Sequence, residues 1–153
     1  MDSTVVRFLD FSCSALVDVD NDGDLDVWMA QNRPTYHRGV LPRSLDDAND
    51  GFPSRLYRND GKGHFTDITG PANLGINRGR RTRSAALVDI DNDSDKDLLV
   101  TSDYAGVELY TNDGTGIFTE ATDATFNDWH LLGQAAAIGR FDDDDRLDFV
   151  IGG

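Results

Sequence analysis

The sequence predicts an all-β chain of four-stranded antiparallel meanders, repeated about two and a half times. Three observations predict it. An acidic nine-residue loop recurs between short apolar runs, at 18–26, 89–97 and 140–148. A second segment, Leu-Tyr-x-Asn-Asp-Gly-x-Gly-x-Phe-Thr, occurs at 56–66 and again at 109–119. Loop and segment recur together in the same order, which is the signature of a repeat protein. The apolar runs beside the loops are nearly continuous, whereas a strand with one wet face alternates. Each small sheet is therefore expected to be covered on both faces.

Taken in order, Val5-Val6-Arg7-Phe8-Leu9 leads into a first strand at about 12–18. The loop from Asp18 to Asp26 follows, then a second strand at about 26–31. Residues 32–53 hold Pro34, Gly39, Pro42, Gly51 and Pro53 and read as an irregular insertion. Arg55-Leu56-Tyr57-Arg58 and Phe65-Thr66-Asp67-Ile68-Thr69 flank Asn59-Asp60-Gly61, a hairpin pattern. The second repeat, 82–122, has the same parts: Ala86-Leu87-Val88, the loop from Asp89 to Asp97, Leu98-Leu99-Val100, and a hairpin around Asn112-Asp113-Gly114. The loops start 71 residues apart and the hairpins only 53, so the first repeat, 12–69, carries the extra length as its insertion at 32–53. A third copy, 134–153, reaches its second strand only.

Meanders covered on both faces stack radially in a β-propeller, and these repeats are read as its blades, with the ring completed by a larger parent chain or by other copies. The 153 residues suffice for one domain. The formal net charge is −14, and 15 of the 28 acidic residues lie in the three loops. So acidic a chain is a poor partner for nucleic acid. The single cysteine, Cys13, excludes an internal disulfide. With no run of 18 apolar residues, no membrane span is expected. The N-terminus carries no leader of charged and apolar regions, and the chain is read as a piece of a larger secreted or surface protein.

Five carboxylates in nine residues repel one another unless a cation sits among them. Alternate placement lets their oxygens converge when the chain curls, and Gly23 permits the sharpest bend. Hard oxygen donors in that number suit calcium better than zinc or copper. An EF-hand does not fit, because place twelve is Met29 in the first loop and Val100 in the second, and the flanks read as strands.

These loops and hairpins resemble the FG-GAP/VCBS repeat of calcium-binding propellers, including those of integrin α-subunits. The segment from Leu56 to Thr69 is similar to the VCBS-type repeats found beside ASPIC/UnbV segments. The resemblance covers roughly 12–31, 54–69 and 82–153, although the literal Phe-Gly and Gly-Ala-Pro marks are absent. It implies calcium ligands at loop places one, three, five and nine by side chain, and at place seven by carbonyl. In the first loop these are Asp18, Asp20, Asp22, Asp26 and the carbonyl of Asp24. In the second they are Asp89, Asp91, Asp93, Asp97 and the carbonyl of Asp95, with Ser94 where the first loop has glycine. The third keeps Asp142, Asp144 and Asp148 but has Arg140 at place one, which sets it apart from two full calcium loops. The resemblance implies a calcium-stabilised extracellular adhesion or ligand-binding module. A fragment of a calcium-dependent acidic-polysaccharide lyase and a purely structural spacer are the alternatives.

A meander alternates ends, so loops and hairpins are expected on one face, and the insertion and the 70–82 segment on the other. The second face would hold a rim of Arg33, Tyr36, Arg38, Arg80 and Arg81, suited to an acidic glycan or an acidic protein loop. The competing reading pairs those arginines with Asp46, Asp47 and Asp50. His37, His64 and His130 stand apart from any nucleophile or zinc pattern, and no catalytic residue is assigned.

Overall fold

The computed structural model describes residues 11–32, 48–122, 135–143 and 147–152. Within them the first sheet takes β1 (Phe11–Val17), β2 (Asp26–Gln31), β3 (Arg55–Asn59) and β4 (Phe65–Asp67) in chain order. The second takes β5 (Arg81–Val88), β6 (Asp97–Asp103), β7 (Gly106–Asn112) and β8 (Phe118–Glu120) in the same way. A third pairs β9 (Ala135–Gly139) with β10 (Asp148–Gly152). All neighbours are antiparallel. These are blades of propeller type, two complete and one of two strands, in a stack that is not closed.

The repeats agree down to register. Leu16, Val27 and Tyr57 lie side by side across the first sheet, as Leu87, Leu98 and Tyr110 do across the second. Ile138 and Phe149 make the same row in the third. The adjacent row points to the other face, because successive side chains alternate. It reads Ala15, Trp28, Leu56 in the first sheet and Ala86, Leu99, Leu109 in the second.

Those two rows build the core. Trp28 and Leu56 of the first sheet meet Leu98, Val100 and Tyr110 of the second. On the far side of the second sheet, Leu99, Val107 and Leu109 meet Ile138, Phe149 and Ile151 of the third. The second sheet is thus covered twice, and every residue of β6 is buried. That is the physical reason for its unbroken Leu98-Leu99-Val100 run. The outer faces stay open, with Leu16 64% and Val150 56% exposed.

At the end of the stack away from the acidic loops, the tail of the insertion lies along the inter-blade segment. The N–H groups of Gly51 and Ser54 donate to the carbonyls of Gly79 and Arg78 at 2.6 and 2.7 Å, and Ala48 donates to Tyr104. Among the described residues no helix is long and apolar enough to cross a membrane.

Candidate metal centres

Each acidic loop joins the first two strands of its blade. The curl is set by two left-handed residues in each: Asn21 (φ 58°) with Gly23 (91°), and Asn92 (62°) with Ser94 (83°). Asparagine tolerates this region better than most residues, and glycine enters it without strain. The curl turns backbone N–H groups onto the carboxylates. Asp18 accepts from Asp22 and Gly23 at 3.1 and 2.9 Å, and Asp22 accepts from Asp24 at 2.9 Å. Asp89 accepts from Ser94, Asp91 from Asp93, and Asp93 from Asp95.

The result is two triplets, Asp18/Asp20/Asp22 and Asp89/Asp91/Asp93, each offering oxygens within 4.8 Å of one another. Both contain a buried carboxylate oxygen with no hydrogen-bond partner: Oδ1 of Asp20 and Oδ1 of Asp89. Burial, with the like charges of Asp22 and Asp26, pushes the Asp20 carboxyl above the usual range. Burial and the charges of Asp97 and Asp93 raise Asp91 in the same way. A hard cation would relieve each of these features at once, and the all-oxygen donor sets fit one of the calcium class. One asymmetry separates the two. Arg58 approaches Asp20 Oδ2 at 3.7 Å, whereas Thr111 holds the matching position in the second repeat.

Place nine does something the spacing did not reveal. Asp26 is fully buried, and its two oxygens accept from Val19 in its own loop and from Asn59 at the hairpin, at 2.9 and 2.8 Å. Asp97 repeats this with Ile90 and Asn112, at 2.7 and 2.9 Å. Each place-nine carboxylate therefore ties loop to hairpin and lies outside the convergent triplet. Place seven seals the same junction. The carboxylates of Asp24 and Asp95 lie against Gly61 and Gly114, where an added Cβ would meet them at 2.3 and 2.4 Å. Loops and hairpins accordingly share one face.

Two stretches of the chain, 18–100 and 89–151, match the family model of the FG-GAP-like repeat. The chain belongs to the FG-GAP-like repeat family. Each match starts at place one of an acidic loop, so the FG-GAP-like unit runs from one loop through its hairpin into the next loop. The second match ends within β10, taking the two-stranded blade into the family. A comparison with curated proteins finds no match.

In the last FG-GAP-like loop, Asp148 keeps the place-nine bond, accepting from the Phe141 N–H at 2.7 Å. Asp144 lies outside the described residues. The expected arginine rim changes at two positions. Arg80 and Arg81 are 6% and 1% exposed, not open to solvent. Arg80 pairs with Glu108 at 3.1 Å, and Arg81 forks onto both oxygens of Asp50 at 2.9 and 3.1 Å. For Arg81, a fixed guanidinium fork matched to a carboxylate accounts for the burial of the charge. Arg33, Tyr36 and Arg38 lie outside the described residues.

Asparagines, which the acidic spacing does not single out, join the two blades of this FG-GAP-like chain. Asn112 Nδ2 donates to the Val19 carbonyl of the first loop at 2.8 Å. Asn21 Nδ2 donates to Asp95 Oδ1 and to the Gly114 carbonyl, at 2.8 and 3.2 Å. The signal for them was present, since asparagine stands at place four of both full loops and at the head of both hairpins.

Proposed function

We propose that this chain is part of a calcium-stabilised extracellular ligand-binding or adhesion propeller, in which calcium is structural. Asp18, Asp20 and Asp22 hold one ion with the carbonyl of Asp24, and Asp89, Asp91 and Asp93 hold the other with the carbonyl of Asp95. Asp26 and Asp97 fix the loop that presents them. The single observation that carries this reading is the orphaned buried carboxylate oxygen in each triplet, Oδ1 of Asp20 and of Asp89. Buried acceptors without donors are costly, and a bound ion satisfies them while removing the mutual repulsion of the loop. Extracellular modules bind calcium with dissociation constants of roughly 10⁻⁴–10⁻³ M, which suits a calcium-rich exterior.

At about 2 mM calcium and the tighter end of that range, each ion stabilises the fold by about 2 kcal/mol. Melting curves should therefore rise by roughly 5 °C per site over curves in EDTA. The doubly substituted Asp20→Asn/Asp91→Asn protein should melt at the same temperature with and without calcium. Equal melting of the unsubstituted chain in calcium and in EDTA would sink the reading.

A further inference from the structure

We infer that the two ion sites are coupled through Asn21, so that filling one tightens the other. This inference rests on the calcium reading given above. The first loop does not end at its own blade. The Asn21 side chain crosses to the second blade and donates both to Asp95 Oδ1 and to the carbonyl of Gly114. Asp95 supplies the place-seven carbonyl of the second site, and its carboxylate lies against Gly114 in the second hairpin. One amide thus holds both parts of that junction.

A parallel contact runs beside it. Asn112 Nδ2 grips the carbonyl of Val19, between Asp18 and Asp20 of the first triplet. The backbone N–H of the same Asn112 is bound by Asp97, the clamp of the second loop. Gly116 of the second hairpin also rests against Val19 and Asp20, where an added Cβ would meet them at 3.5 and 3.7 Å. The first loop, the second hairpin and the second loop are therefore contiguous through polar groups, the physical condition for coupling.

The sign follows from ordering. Asn21 sits at φ 58°, between the ligands Asp20 and Asp22, so its placement depends on the curl that an ion at the first site would fix. Once it is fixed, its amide holds Asp95 and the second hairpin in place. The second ion then has less chain to order, which is positive cooperativity without a large structural change. Linkage requires the effect to be equal in both directions.

Calcium titration calorimetry on the full chain tests this. Asp20→Asn silences the first site and Asp91→Asn the second. With its neighbour silenced, each remaining site should bind calcium about 5-fold or more weakly than it does when the neighbour is filled, by the same factor both ways. Asn21→Gly removes the amide while keeping the left-handed turn, and Asp95→Ala removes the nearer of its two acceptors while keeping the carbonyl ligand. In either background the cross-effect should fall below about 2-fold. Absence of calcium binding by the unsubstituted chain would overturn the calcium reading and this inference together. Binding at both sites with no cross-effect would overturn the coupling alone. A cross-effect that survives both Asn21→Gly and Asp95→Ala would remove Asn21 from it.

Discussion

Aspartates of one chain experience opposite surroundings here. In the hairpins, Asp60 accepts from the His64 ring and from the N–H groups of Lys62 and His64, and its carboxyl is held down to about 2. Asp113 is lowered in the same manner by the hydroxyl and N–H of Thr115. The hairpins thus satisfy their acids with protein donors. In the loops desolvation and the like charges of neighbouring aspartates outweigh the donors, and Asp20 and Asp91 rise instead. Residue type alone does not separate the two groups; the balance of desolvation and like charge against hydrogen-bond donors does. Backbone strain is decided at the same scale. Place six is Gly23 in the first loop and Ser94 in the second, both at strongly positive φ. A side chain there costs roughly 1–2 kcal/mol, offset in part by the greater freedom of glycine in the unfolded chain. Ser94→Gly should therefore stabilise the calcium-free protein by about 1 kcal/mol in urea denaturation. A loss of stability would mean that the serine side chain makes a contact of greater worth.

Strand identity was legible because sheets covered on both faces need unbroken apolar runs, and Ala86-Leu87-Val88 and Leu98-Leu99-Val100 are such runs. The hairpins were legible from Asn-Asp-Gly, whose glycines take φ of 69° and 77°. The joints between elements were not. Asp26 reads as one more acid, since spacing does not show that an N–H from Asn59, 33 residues on, will converge on it. Arg80 reads as surface charge because its partner, Glu108, lies far off in sequence, whereas the Arg81–Asp50 pair is one of the pairings the sequence offered against an open rim. Two glycines of one hairpin now isolate a joint. Gly61 (φ 69°) and Gly63 (φ 86°) both resist a side chain on conformational grounds, yet only Gly61 faces a place-seven carboxylate. Gly63→Ala should cost about 1 kcal/mol, and Gly61→Ala at least about 1 kcal/mol more. Equal losses would show that Asp24 yields freely.

Among the described residues the blades form a series in which the middle one is packed on both faces. Leu16 and Val150 stay exposed on the outer faces, while Leu87 and Leu99, in the corresponding rows of the second sheet, pack into the two cores. The place-nine bond has a further consequence, in the order of events by which the chain folds. Asp97 closes onto Asn112 across 15 residues, whereas Asp26 must reach Asn59 across 33. The longer closure costs about 0.7 kcal/mol more in chain entropy, roughly a threefold difference in rate. The second blade is thus expected to nucleate and the first to condense upon it. Leu109→Ala should then slow folding, with a φ-value of about 0.5–0.8, while Leu56→Ala should mainly speed unfolding, with a value below about 0.3. The reverse pattern would mean that the insertion brings its own ends together early, and that the first blade sets the pace.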